Sequence, residues 1–97
     1  MNNIIEIHTD INAPKIGTVL AERIKDIENI NECILGIQLS YHENSTLFYL
    51  NKICCINFDE YYIEIRQTNN SSCYLDYNEI LEYFIVHNED LFDRDYL

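Results

Sequence analysis

At Cys33 the spacing of apolar residues changes from that of a helix to that of a strand. Before it, Ile16, Leu20, Ile24 and Ile27, with Val19 beside them, recur at helical intervals. Glu22, Arg23, Lys25, Asp26 and Glu28 fall on the other side. After it, Cys33, Leu35, Ile37, Leu39 and Tyr41 alternate with Ile34, Gly36, Gln38, Ser40 and His42. A chain with both periods must bury a helix stripe and a sheet face in one core. Its 97 residues suffice for one such core and no more, so residues 1–97 read as a single compact domain.

The remaining elements follow from local chemistry. Asn12 is a candidate helix cap, and Pro14 suits the first turn, where its missing N–H is unpaired anyway. The spacing predicts a helix over 14–28, in which Gly17 is either a cost or a point of close packing. The short β-branched run Ile4–His8 reads as an edge strand. Further strands are expected over Thr46–Leu50, irregularly through Cys54, on to Phe58, and over Tyr61, Ile63 and Ile65. Thr68–Ser72 reads as a polar loop. Asp76 followed by Glu79 is a capping-box pattern, and Tyr77, Ile80, Leu81, Phe84, Ile85, Leu91 and Phe92 share one helical face. This predicts an amphipathic helix over 77–93. The expected fold is therefore α+β: a helix, an antiparallel meander of three to four strands, and a C-terminal amphipathic helix packed on one face of the sheet. That order resembles a double-stranded-RNA-binding domain. The family holds phosphates with basic residues, and the acidic last segment here excludes that function.

The charge is lopsided. There are 17 Asp and Glu against 6 Lys and Arg, for a net charge of −11. Residues 1–58 carry −3 of it and residues 59–97 carry −8. Gripping nucleic acid or an anionic membrane requires clustered Lys and Arg, so neither is the expected partner. The chain holds 16 Ile, 12 Asn and 8 Tyr, all with AT-rich codons. Lysine, also AT-rich, occurs only as Lys15, Lys25 and Lys52, as though positive charge were disfavoured.

No apolar run reaches the ~20 residues that span a bilayer, and MNNIIEIHTD lacks the marks of a signal peptide. The expected location is the cytoplasm of a bacterial host cell. Cys33, Cys54, Cys55 and Cys73 then read as reduced, mostly buried thiols. His8, His42 and His87 are scattered, so no metal site and no cofactor are expected. No nucleophile–base pair, glycine-rich phosphate loop or cleft with paired carboxylates is legible, and no catalytic role is expected.

The chemistry-bearing residues are acidic. Asp76, Glu79, Glu82, Glu89, Asp90, Asp93 and Asp95 crowd the last 22 positions, with Arg94 their single counter-charge. Acids late in a helix oppose its dipole and repel one another, a local cost that a basic partner would offset. Asp59, Glu60, Tyr61 and Tyr62, with Glu64 further along the strand, form a second group, an acidic turn beside tyrosine, a residue suited to contact surfaces. An ordinary solvated face and a hairpin packed on its own sheet are the plainer alternatives.

These features point to a small acidic inhibitor that binds the basic surface of a DNA- or RNA-handling protein, such as a nuclease or CRISPR effector, as a nucleic-acid mimic. Phage anti-CRISPR proteins resemble it in size and acidity. An immunity protein or antitoxin that neutralises a basic nuclease toxin needs the same surface. A non-catalytic homodimeric adaptor, joined through a tyrosine-rich sheet, is the third expectation.

Overall fold

The computed structural model describes residues 4–40 and 45–87. Their elements are β1 (Glu6–Thr9), α1 (Lys15–Lys25), β2 (Cys33–Leu39), β3 (Ser45–Tyr49), β4 (Ile53–Phe58), β5 (Tyr62–Gln67), β6 (Ser72–Asp76) and β7 (Ile80–His87). Three 3-10 turns, Ile30–Glu32, Leu50–Lys52 and Tyr77–Glu79, precede β2, β4 and β7. The strands form two sheets. The first has the order β1-β4-β5-β6 and the second β3-β2-β7. Only β1 runs parallel to its neighbour, β4.

Helix α1 buries Gly17, Leu20, Ala21 and Ile24, a stripe at helical spacing. Pro14 caps it with an extended backbone, and its carbonyl accepts from Gly17 and Thr18 N–H at 2.9 and 3.1 Å. Asn12 does not cap: its N–H donates to Asp10 Oδ1 at 2.7 Å. Arg23 and Lys25 occupy the last turn, where the helix dipole favours cations. Leu20 and Ile24 from α1, Leu35 and Ile37 from β2, and Ile56, Phe58, Ile63 and Ile65 from the first sheet meet in one core. Each of these is at most 1% exposed.

The expected fold needs correction at its C-terminal element. The chain is mostly β, with its one α-helix early among the described residues, and no helix follows Asp76 there. The capping signal itself is real, since Asp76 Oδ1 accepts from Asn78 N–H at 2.8 Å. It closes a 3-10 turn of three residues, and then Ile80–His87 extends along β2. The run Ile-Leu-Glu-Tyr-Phe-Ile-Val is β-branched and aromatic, which favours a pleated strand. Both faces of β7 are largely apolar, so it lacks the alternation that marks a strand, and its apolar spacing coincides with a helical one. With that helix gone, the resemblance in element order to a double-stranded-RNA-binding domain goes too. The predicted polar loop was also too long, because Ser72 already opens β6. The part of the predicted helix beyond His87 lies outside the described residues.

One irregularity shapes the first sheet. Its register shifts between Ile53 and Cys55, so Cys54 is a bulge. Ile53 and Ile56 both reach the core, and Cys54 and Cys55 stand outside it in succession. All four cysteines are free thiols.

Candidate functional site

The β4-β5-β6 hairpins set out alternate side chains on the outward face of the first sheet. Asn57, Glu64 and Tyr74 lie side by side across the three strands, and Tyr62 lies beside Asp76 in the next row. Glu64 is the hub. It accepts from Asn57 Nδ2 at 2.8 Å, from Tyr74 Oη at 3.1 Å and from Arg66 at 3.4 Å. The Asn57 hydrogen bond leads in holding its carboxyl below the ordinary value, with Tyr74 and Arg66 adding to it against partial desolvation. The same bond to Glu64 raises the Tyr74 phenol. Tyr62 and Tyr74 pack edge to face, their ring centroids 5.5 Å apart.

One end of this sheet gathers carboxylates. The turn after β4 is closed by the Asp59 N–H, which donates to the Tyr62 carbonyl at 3.0 Å. Asp10 N–H donates to the Phe58 carbonyl at 2.8 Å, bringing the end of β1 to the same place. Asp76 joins from β6 through its pairing with Tyr62. Tyr77 lies beneath. Its hydroxyl is buried without a hydrogen-bond partner and stands 2.6 Å from where a Gly17 Cβ would be. Burial, and then the negative charges of Asp59 and Asp10, push this phenol up to about 12. Tyr61 and Tyr74 are exposed by 72% and 60%. Arg66 is the single base on β4, β5 and β6, and it is engaged with Glu64 at 3.4 Å.

Of the residues singled out in the sequence, Asp59, Glu60, Tyr62 and Asp76 come together here. Tyr61, singled out with them, lies here too, whereas Asp10 and Tyr74 belong with them and were missed. Asp10 is remote in sequence, and only the parallel β1-β4 pairing reveals it. The expected row of acids on one helix face does not form. Glu79 lies in the turn before β7, where its carboxylate accepts from Ser40 Oγ at 2.7 Å. Glu82 lies on β7 opposite Gln38, in the second sheet. Glu89, Asp90, Asp93 and Asp95 lie outside the described residues.

A cavity of about 460 Å³ opens elsewhere, between β1 and the end of α1. Isoleucines dominate its lining, and none of the gathered carboxylates borders it. Among the described residues no three His, Cys, Asp or Glu side chains converge as metal ligands. No described helix is long and apolar enough to cross a membrane. Compared with protein-family models, curated proteins and solved structures, the chain matches none.

Proposed function

We propose that the chain is a small acidic binding protein that blocks the basic, nucleic-acid-binding surface of a nuclease or CRISPR-type effector. The observation that carries this reading is the convergence of Asp10, Asp59, Glu60 and Asp76 at one end of a sheet among exposed tyrosines. Carboxylates fixed on a sheet end present negative charge without reorganising, and tyrosines add contact area at low entropic cost. The acidic element is thus a hairpin end and not a helix row. No catalytic step is part of this reading.

The test is capture of a partner from host lysate on the tagged chain, washed at low and at high salt. A basic nucleic-acid-handling protein that is released by salt or by added DNA supports the reading. In the triple variant Asp59→Lys, Glu60→Lys and Asp76→Lys, association with that partner should slow by about 10- to 100-fold. Stability should fall by no more than about 2 kcal/mol, most of it from loss of the Asp76 cap on Asn78 N–H. A complex that survives high salt and ignores competing nucleic acid overturns the proposal.

A further inference from the structure

Cys54 and Cys55 are adjacent in the chain, and in a regular strand adjacent side chains point to opposite faces. Here they do not. Ile53 stands opposite Gln67 and Cys55 opposite Arg66, so Cys54 is the extra residue of a bulge. Ile53 and Ile56 both enter the core cluster, and neither cysteine belongs to it. The bulge therefore turns two consecutive thiols to the same, outward side of the first sheet. Bulges re-aim side chains in this way beside functional sites. Neither thiol is in a disulfide. The half-buried Cys54 rests on the β5 backbone, its thiol donating to the Arg66 carbonyl at 3.5 Å, with that of Gln67 at 3.6 Å. Cys55 is 8% exposed, and its thiol reaches Asn57 Oδ1 at 3.9 Å. Thiols are weak donors, so these contacts give way to a metal–sulfur bond at little cost.

The surroundings of the pair are negative. Glu6 of β1 stands in register with Cys55. Burial does most to raise the Cys55 thiol; Arg66 lowers it, and Glu6, Cys54 and Glu64 raise it further. Three of those four neighbours thus oppose a bare thiolate by negative charge, and the same field favours a cation held between the sulfurs. We propose that Cys54 and Cys55 together bind a soft monovalent metal ion, Cu(I), as a two-coordinate pair of thiolates. The donor set selects the ion. Structural zinc takes four ligands, and calcium and magnesium take oxygen. Among the described residues no three His, Cys, Asp or Glu side chains converge, so the pair stands without a third such donor. Two sulfurs suit Cu(I), which prefers soft ligands. Each thiol gives up its proton as the metal binds. The sequence conceals this site, because adjacent cysteines lack the spacing of a zinc motif and only the bulge brings both sulfurs to one side. The pair opens β4, whereas the gathered carboxylates lie beyond its other end, so the two sites are independent.

The test is anaerobic titration of the full, reduced chain with Cu(I) against the chromophoric chelator bicinchoninate. The expected result is one Cu(I) withdrawn per chain, with the far-ultraviolet circular dichroism unchanged. Cys54→Ser keeps the fold, since Cys54 is half-buried outside the core, and loses that binding. Removing a group that only supports a metal ligand costs about 10- to 100-fold in affinity, so removing a ligand costs at least as much. Cys55→Ser loses it too, whereas Cys73→Ser, in the same sheet, retains it. X-ray absorption of the loaded chain shows two sulfur neighbours on copper. A chain that withdraws no copper overturns the proposal. So does equal binding by Cys54→Ser, which places the ion on other thiols, and so does one ion per two chains, which makes it a bridge between copies.

Discussion

The outward face of the first sheet holds Asn57, Glu64, Tyr74 and Arg66 in one hydrogen-bonded group, whereas that of the second holds Ile34, Leu47, Tyr49, Phe84 and Val86. The two sheets share a core and obey the same alternation. Their difference lies in how each outward face is completed. On the first, polar groups satisfy one another, and the surplus acids collect at one end, where solvent or a basic partner can reach them. On the second, a glycine lets an aromatic ring lie against the backbone.

The sharpest way to break the comparison is Gly36→Ala. The added methyl overlaps the Phe84 ring, so the ring must leave or the strands must part. Overpacking of this kind costs about 1–3 kcal/mol, to be read from the urea midpoint. In a Phe84→Ala background the same substitution should cost much less, a non-additivity that locates the effect in that contact. The first sheet offers no counterpart, since its outward face carries no glycine.

A smaller effect of opposite sign is expected at Tyr77. Its hydroxyl is buried with no partner, so Tyr77→Phe should be neutral or stabilising by up to about 1 kcal/mol. Burial and the carboxylates of Asp59 and Asp10 also raise this phenol to about 12 from an ordinary value of 10.0. The folded chain then keeps a proton that the unfolded chain releases, so stability falls as pH rises above about 10. Denaturant titrations at alkaline pH should show this loss in the parent, reduced by one proton's share in Tyr77→Phe. An unchanged alkaline limb would separate Tyr77 from the acidic end.

These two positions also show what the sequence made legible. Cys33–Leu39 alternates visibly because one of its faces carries Gly36 and Gln38, and it is strand β2. α1 was visible from Leu20 and Ile24, its ends less so, because Asp10 and not Asn12 receives the turn's N–H. β7 was misread for the reason that the second sheet is distinctive. With both faces apolar it has no period of two, and Phe84 and Val86 pass for the inner stripe of a helix. The candidate site was half legible. Asp59, Glu60, Tyr62 and Asp76 lie in two segments that β5-β6 pairing joins, but Glu79 and Glu82 were assigned with them only through the helix that does not form. Asp10 depends on a parallel pairing between residues some 50 positions apart, which no local pattern announces.

The smallest expected effect is at Glu64, and it sharpens the contrast most directly. Glu64 is the one acid on its face that is tied down by three donors, Asn57, Tyr74 and Arg66. Its carboxyl is held below the ordinary 4.5, so the ionised form favours the folded state. The contribution is complete above the unfolded value and is lost as pH falls through the lower, folded one. Glu64→Gln can still accept from Asn57 but has no charge to lose. Its stability should therefore fall less steeply than the parent's between about pH 5 and pH 2, with the two curves converging at the acid end. Because the group lies at the surface, salt should shrink the difference. Glu82→Gln, on the apolar face, has no hydrogen-bonded group to disturb. If its acid limb changed as much as that of Glu64→Gln, the network on the first sheet would not be what distinguishes the two faces.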